Sequence, residues 1–361
     1  IVPAKYSMFE NLKDLGKGKN NGLRIHYMIA VNARTHDILG ITDLRIIDED
    51  IKHTDISLED ESDIWFFVAN QTFNKIDQYL SKEEADKLKK RCIFVGDRES
   101  DDFSLLFNLK NIGLKFIIRS QYNRTTDSDK TLDQLEKNSI KYGDHYDIEV
   151  SITNGGKRTA TVEQSVLIDI QVCPPKKKEY SKMEPVSINI VLVKELNVPK
   201  NTDPIHWRLL TDVVIDKKSH CNFVVICYKT RWTIEEINKG AKTGCKIESR
   251  QFTCCEHIYP LISMIFVVAW RILSIRDLAR KEDDTPIEEA FSEEECNYLK
   301  DRFTEEKTET STVADAMDFI ARLGGFLGSY KNPGWIVLWK GWFKFVNHVE
   351  GHALARKILK R

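Results

Sequence analysis

The sequence predicts an α/β protein with an inserted antiparallel β-subdomain and a helical carboxyl-terminal region. Strand-like and helix-like segments alternate along residues 23–120, which is typical of a sheet covered by helices. Residues 145–215 contain only strand-like segments, and helical periodicity dominates after them. With 361 residues, the chain is long enough to form two or three packed units.

An antiparallel hairpin and a helix are the first predicted elements. Residues 23–32 and 37–47 are alternating runs rich in β-branched side chains, and the short polar link ARTH joins them. Residues 64–80 have helical periodicity, and Ser62 or Asp63 could cap this helix. We therefore expect two paired strands followed by one helix.

Two buried strands with a helix between them come next. Residues 91–97 form a short apolar run that ends in Asp97, as expected for a strand buried on both faces. A helix over 98–113 then leads to a second strand over 114–120, with Arg119 at its exit. Asp97 is therefore predicted at the carboxyl end of a strand, where the sheets of α/β proteins expose their chemistry.

Strands and then helices occupy the second half of the chain. The β-subdomain includes a predicted turn at 154–156 and an exposed, lysine-rich loop at 174–182. The apolar run 258–273 is shorter than the about 20 residues that a membrane span requires, so we interpret it as a buried core helix and expect no membrane association. The last helical region carries an apolar stripe, which predicts a packed core or, alternatively, a subunit interface. The stripe consists of Trp335, Leu338, Trp339, Trp342, Val346 and Val349.

Charge distribution and cysteine content narrow the class of protein. The formal net charge is -1, yet residues 48–63 and 282–310 are acidic while 216–250 has a clear excess of Lys and Arg. A partner that carries phosphates could bind the basic stretch. The eight cysteines include no C-x-x-C pair and show no zinc-type spacing, which predicts a reduced, cytoplasmic protein.

The segment 228–242, YKTRWTIEEINKGAK, combines an aromatic residue with charges of both signs. On one ideal helix its polar side chains would share a stripe, whereas Ile234, Ile237 and Ala241 would form a separate apolar stripe. The polar stripe consists of Tyr228, Arg231, Glu235, Lys239 and Lys242. Such a helix packs on one side, and its other side either binds a ligand or is simply solvated.

Asp97 and Glu235 are the candidate catalytic carboxylates and metal ligands. In-line displacement at phosphorus by two divalent ions needs a few carboxylates around the ions and nearby cations that hold the phosphates. Mg²⁺ is suited to such oxygen-rich sites. The alternative interpretation of Asp97 is a helix N-cap without a further role.

Several motifs together resemble a known family. The stretch FVGDRESDDF around Asp97 and the pattern Y-x-x-R-x-x-x-E-x-x-x-K-x-x-K in 228–242 resemble the signatures of bacterial cut-and-paste DDE transposases of the IS-four group, nearest to the Tn-five type. The segments LRIHYMIAVN, LKFIIRS, PIHWRLLTD and IARLGGFLGSYKNPGWIVLWKGW extend the similarity, in order, along nearly the whole chain.

The resemblance implies a ribonuclease H-like core in which Asp97 and Glu235 are catalytic ligands of two Mg²⁺ (or Mn²⁺) ions. It also implies a homodimer through the carboxyl-terminal helices, which would cleave transposon ends and join them to target DNA. The residues implied to contact double-stranded transposon-end DNA are Tyr228, Arg231, Lys239, Lys242, Trp207 and Arg119. Among these, Trp207 would stack on a flipped base, with ordinary strand packing as the alternative.

The resemblance also divides the chain into domains. These are the first part of the core over 1–144, the β-subdomain over 145–215, the remainder of the core over 216–280 and the dimerisation region over 281–361. In the family, a first catalytic aspartate followed by Thr lies on a strand directly before the hairpin. Because no such D-x-T segment is found here, we expect this chain alone to be inactive. The alternative function is a catalytically inactive transposase remnant that acts only through DNA binding or dimerisation.

Overall fold

The structure is a computed structural model that describes residues 2–3, 22–47, 61–151, 157–200, 202–247, 255–281, 284–305, 312–328 and 333–359. The chain divides into two compact units. The first unit combines Ile1–Thr54 with Trp232–Arg361, and the second is Asp55–Arg231. The protein belongs to the mixed α/β class, as predicted at that level. The turn predicted at 154–156 lies outside the described residues.

Strands and helices are numbered here in chain order. The strands are β1 (Val2–Pro3), β2 (Gly22–Val31), β3 (Ile38–Ile47), β4 (Ile93–Gly96), β5 (Lys115–Arg119), β6 (Ile140–Ser151), β7 (Lys157–Val172), β8 (Val186–Glu195) and β9 (His206–Thr211). The α-helices are α1 (Glu61–Tyr79), α2 (Lys82–Lys89), α3 (Phe103–Asn111), α4 (Leu132–Leu135), α5 (Lys218–Thr230), α6 (Trp232–Lys239), α7 (Cys255–Lys281), α8 (Glu293–Glu305), α9 (Val313–Leu323) and α10 (Trp335–Leu359).

In the described part of the chain, a six-stranded mixed sheet forms the centre of the second unit, in the order β4-β5-β9-β8-β7-β6. β4 and β5 are parallel, and the other neighbouring pairs are antiparallel. β5 lies inside the sheet, and its residues Phe116, Ile117 and Ile118 are fully buried, as its continuous apolar sequence predicts. The strands predicted as a β-subdomain thus continue the sheet that β4 and β5 begin.

Two local predictions about the start of the second unit are corrected. α1 begins at Glu61, so Ser62 and Asp63 lie inside the helix and do not cap it. Helix α2 was not predicted from the sequence. The sequence does contain its capping-box signal, a Ser followed three residues later by a Glu. In the structure, Ser81 and Glu84 each accept a hydrogen bond from the other's backbone N–H group at the start of the helix.

The first unit is built on the hairpin of β2 and β3 and on the helices that pack against it. β2 and β3 are antiparallel, as predicted, and β1 pairs with the start of β2. Because side chains alternate along β2, Leu23 and Tyr27 point to the same side of the strand and are buried in a hydrophobic core. Residues of α6 to α10 contribute to the same core. The hairpin therefore shares its core with the carboxyl-terminal helices.

The two compact units have other boundaries than the four predicted domains. The hairpin belongs with the helices of the first unit, and the strands between 145 and 215 belong with β4 and β5 in the second. Compactness alone does not define evolutionary or functional parts, so the four-domain division remains a prediction.

Within the described residues, helix α7 is long and apolar enough to cross a membrane. Residues 258–280 meet that criterion by length and composition. One face of the helix is buried in the core of the first unit, where Ile262, Ala269 and Ile272 are almost inaccessible to solvent. A core helix of a soluble protein has the same length and composition, so this packing is consistent with a soluble protein.

Helix α10 buries the aromatic stripe that the sequence predicts. Trp335, Leu338, Trp339, Trp342 and Val349 are buried in the first unit, and Val346 is partly buried against the same core. The prediction of a packed core is thereby confirmed for this stripe.

Two glycines let α9 and α10 approach closely. A Cβ atom on Gly341 would lie 1.8 Å from the carbonyl oxygen of Ile320, and one on Gly324 would lie 1.9 Å from the carbonyl oxygen of Val337. Both distances are far below van der Waals contact. Backbone therefore packs directly against backbone, and only glycine fits at these two positions.

Gly341→Ala should lower the free energy of unfolding by about 1 to 3 kcal/mol or more, because the added methyl group forces the two helices apart. Gly351→Ala in the same helix is the matched control, since a Cβ there meets nothing within 4 Å. This control should be neutral or stabilising by up to about 1 kcal/mol, because Ala favours helix over Gly. Chemical denaturation measures both variants, and equal effects would contradict the close approach.

Candidate nucleic-acid interface

Asp97 lies directly after β4, at the carboxyl end of the strand, as predicted. Its Oδ1 accepts a hydrogen bond from the backbone N–H of Glu99 at 3.0 Å and caps a 3-10 helix over Arg98–Ser100. Its Oδ2 lies 3.5 Å from Nη1 of Arg231. The capping role that was the alternative is therefore present, together with an ion pair to a second predicted site residue.

The helix predicted over 98–113 is divided in two. The 3-10 helix Arg98–Ser100 comes first, and α3 begins after a second cap. In this second cap, Oδ1 of Asp102 accepts hydrogen bonds from the backbone N–H groups of Ser104 and Leu105. The two caps hold the chain in a tight loop at the exit of β4.

Gly96 allows that loop to fold back onto the end of β4. A Cβ atom on Gly96 would lie 2.6 Å from the Cβ and 2.8 Å from the Oγ of Ser100. Ser100 is itself buried, with 3% of its surface exposed. The close packing of these two residues sets the position from which Asp97 leaves the strand.

Arg119, Trp207 and Tyr228 come together on one face of the sheet. Arg119 ends β5 opposite Leu209 of β9, and Trp207 shares the face of Leu209 because side chains alternate along a strand. The side chain of Arg119 interacts with Tyr228, a buried residue of α5. The rings of Trp207 and Tyr228 meet edge to face, with centroids 5.2 Å apart. Trp207 thus packs against Tyr228 and is partly buried, and both predictions for its role, stacking on a base and ordinary strand packing, remain open.

Positive charge collects around Arg119. Burial disfavours its charged form and Arg98 and Arg231 repel it, so the pKa of Arg119 lies below its ordinary value, although the contact with Tyr228 opposes this shift. A guanidinium stays charged in proteins despite such a shift. A negative group placed at this point would therefore be stabilised, and Asp97 supplies one negative charge through its ion pair with Arg231.

Five of the predicted site residues thus gather in the second unit, at the ends of β4 and β5. We call them the exit cluster. The exit cluster consists of Asp97, Arg119, Trp207, Tyr228 and Arg231.

The segment 228–242 is not one continuous helix. α5 ends just before Arg231, which forms a turn, and α6 is followed by a π-helix over Gly240–Gly244. The prediction of one continuous ideal helix is therefore wrong, and the shared polar stripe remains a prediction. Ile237 and Ala241 are buried, so the apolar side of the segment is confirmed at these two positions.

The remaining predicted residues, Glu235, Lys239 and Lys242, belong to the first unit. Glu235 is partly buried in the first turn of α6. Burial raises the pKa of Tyr27 on β2, and the negative charge of Glu235 raises it further. The hydroxyl of Tyr27 lies 2.8 Å from Oδ1 of Asn238 and so ties α6 to the hairpin. The two lysines are exposed.

The donor atoms of the exit cluster do not fit a divalent cation. Asp97 is its one carboxylate; Oδ1 accepts a backbone N–H, and Oδ2 faces the guanidinium of Arg231. Across the described ranges, no group of three or more His, Cys, Asp or Glu side chains is arranged to hold a metal ion. The Mg²⁺ (or Mn²⁺) site of Asp97 and Glu235 remains a prediction, and the exit cluster itself favours an anion.

Sequence reasoning missed two residues that act on predicted site residues: Arg98, beside Arg119, and Tyr27, beside Glu235. Arg98 directly follows Asp97, and its charge acts on Arg119. Its place in the D-R-E stretch was the available signal. Tyr27 occupies an inward position of the alternating strand β2, which marks it for the core and its hydroxyl for a buried hydrogen bond.

No model of a known protein family matches this sequence. The fold and the site together define a mixed α/β protein with a cationic and aromatic cluster at the end of a mixed sheet.

Gly96→Ala should lower the free energy of unfolding by about 1 to 3 kcal/mol, because the methyl group overlaps Ser100 and pushes the loop off the strand. Gly40→Ala on β3 is the control, since a Cβ there meets nothing within 4 Å. Urea denaturation of the two variants and the parent chain provides the measurement. Loss of stability in Gly40→Ala equal to that in Gly96→Ala would disprove the specific overlap.

Proposed function

We propose that this chain is a DNA-binding protein of the cut-and-paste transposase type with a ribonuclease H-like core. In this proposal, the exit cluster binds phosphates and one base of a transposon end. The observation that carries the proposal is the meeting of Arg119, Arg231, Tyr228 and Trp207 in the second unit. These are four of the residues for which the sequence resemblance implies contact with DNA.

The two guanidinium groups of the exit cluster are suited to DNA phosphates. Arginine forms forked, charge-assisted hydrogen bonds with phosphate oxygens. Arg231 has Asp97 beside it in the free chain, at 3.5 Å, and 39% of that aspartate side chain is exposed. Partly exposed ion pairs of this kind contribute little stability. A phosphate can therefore take the place of Asp97 next to Arg231 at low cost.

Trp207 offers a surface for a base. Its ring is held by its place in β9 and by the edge-to-face contact with Tyr228, and the residue as a whole is only partly buried. Stacking of a base on an aromatic ring contributes about 1 to 3 kcal/mol and tolerates any base. A fixed ring beside two cations supports binding of a base together with its flanking phosphate.

Cleavage of transposon ends and strand transfer into target DNA are the enzymatic part of the proposal. They would require Mg²⁺ or Mn²⁺, with Asp97 and Glu235 as the predicted catalytic ligands. The alternative is a catalytically inactive transposase remnant that acts only through DNA binding or dimerisation. An end-cleavage assay with Mg²⁺ separates the two, whereas DNA binding is common to both.

Binding of the parent chain to a short fluorescein-labelled duplex should weaken with salt, with a log–log slope of about −0.9 for each phosphate contacted. Arg231→Ala should reduce the magnitude of this slope by about 1, because one phosphate contact is lost. Fluorescence anisotropy at several salt concentrations gives both slopes.

Arg322→Ala is the matched control for this measurement. Arg322 lies on α9 in the first unit and pairs with Asp318 on the surface, so its loss should leave the slope unchanged. A parent chain without affinity for duplex DNA would contradict the proposed function. Equal slopes for Arg231→Ala and the parent would show that Arg231 does not contact a phosphate.

A homodimer through the carboxyl-terminal helices is the second part of the proposal. Besides its buried stripe, α10 carries exposed apolar side chains that fall within roughly 60° of one another on the helix. These are Ile336, Phe343, Leu354 and Ile358, between 44% and 63% exposed. Because a two-fold contact uses the same surface on both subunits, one apolar stripe is sufficient for such an interface.

Phe343→Glu combined with Leu354→Glu should convert the dimer to a monomer, because two buried charges without partners would oppose the contact. Leu327→Glu is the control, since Leu327 is 90% exposed and lies outside α10. Light scattering coupled to size-exclusion chromatography measures the mass. A parent chain that is monomeric, or a double variant that stays dimeric, argues against this interface.

A further inference from the structure

Asp101 is a buried carboxylate four residues after Asp97. Its side chain is 0% exposed, and that of its ion-pair partner Arg124 is 7% exposed. Oδ1 of Asp101 accepts hydrogen bonds from Nη2 of Arg124 at 2.7 Å and from Nε at 3.2 Å. A charge at this depth is tolerated only when it is paired and fully hydrogen-bonded.

The second oxygen of Asp101 binds the segment that directly follows Arg119. Oδ2 accepts hydrogen bonds from the backbone N–H of Gln121 at 2.6 Å and of Tyr122 at 3.0 Å, and from the hydroxyl of Ser120 at 3.2 Å. Both oxygens of one carboxylate are thus engaged by a single stretch of chain. We call Asp101 and its partners in residues 120–124 the carboxylate clamp.

The carboxylate clamp connects the exits of two neighbouring strands. Arg119 is the last residue of β5, and on its other side Ser120 donates its backbone N–H to the carbonyl oxygen of Arg208 at 2.7 Å. The backbone around Arg119 is therefore held by the sheet and by Asp101 together. Asp101 itself lies in the loop that follows β4 and begins with Asp97, so the carboxylate clamp joins this loop to the end of β5.

We propose that Asp101 is a positioning residue for DNA binding, which holds Arg119 where its guanidinium meets a phosphate. This inference rests on the proposed function. Asp101 itself is inaccessible and touches no ligand, so it acts only through the backbone that follows Arg119. The competing interpretation is a purely structural ion pair, which would affect stability and leave the DNA affinity of the folded chain unchanged.

Asp101→Asn in the full chain tests the proposal, with Asp102→Asn as the matched control. The same chemical change is made at adjacent positions, but the described hydrogen bonds of Asp102 cap α3 and come from Tyr180, whereas residues 120–122 bond to Asp101. Asn is nearly as good a cap as Asp. Asp101→Asn should weaken duplex binding about tenfold and reduce the salt slope by about 1, whereas Asp102→Asn should change neither.

The double variant Arg119→Ala with Asp101→Asn shows through which residue Asp101 acts. If Asp101 positions Arg119, its substitution should add no further loss of affinity once Arg119 is removed. Additive losses, or an unchanged affinity and slope in folded Asp101→Asn, would overturn the proposal. A parent chain that binds no duplex defeats the proposed function instead.

Folding of each variant is checked by circular dichroism and by denaturation before binding is measured. Should Asp101→Asn not fold, Arg124→Lys replaces it in the test, because Lys keeps the charge and loses the forked geometry. The same loss of affinity and slope is expected from that variant. Unchanged binding by folded Arg124→Lys would likewise overturn the proposal.

Discussion

Positive charge held partly out of water is the constraint on which the exit cluster depends. Arg119 is buried enough that its charged form is disfavoured, and Arg98 and Arg231 add repulsion. In the free chain, Tyr228 opposes the shift at Arg119, and Asp97 pairs with Arg231. Because Arg119 is already partly buried and Arg231 is already held in place, a phosphate would bind without the cost of collecting these two cations from solution.

The parts of this arrangement that follow from local sequence were predictable. The hairpin, β4, β5 and the strands up to β9 each carry a periodicity or an apolar run of their own, and the position of Asp97 at a strand exit follows from one of these runs. The buried stripe of α10 was equally readable, because Trp335, Leu338 and Trp342 recur at helical spacing. In each of these elements, local propensity and tertiary burial agree.

The parts that depend on contacts between distant segments were not predictable. The interruption at Arg231 is different, because a local bond precedes it: the hydroxyl of Thr230 donates to the carbonyl oxygen of Cys227 at 2.6 Å, a bond of the kind that bends helices. Further along, the π-helix begins at Gly240, where a Cβ atom would lie 3.0 Å from the ring of Trp335. A ring from almost a hundred residues away leaves no signal in the segment against which it packs. For the same reason, the membership of five residues in one exit cluster appears only after the strands have paired.

The acidic stretch DRESDD shows how burial gives chemically identical side chains different roles. Asp97 is 39% exposed, with one oxygen on a backbone N–H and the other beside a guanidinium, so it can exchange one partner without unfolding its loop. Asp102 is partly buried and serves as a helix cap. Asp101 is inaccessible, and removal of Arg124 would leave an uncompensated charge in the interior, so this pair cannot exchange partners freely. An aspartate that can change partners is suited to a binding site, whereas one that cannot is suited to holding that site in place. The sequence alone does not distinguish the two, because the residue type is the same.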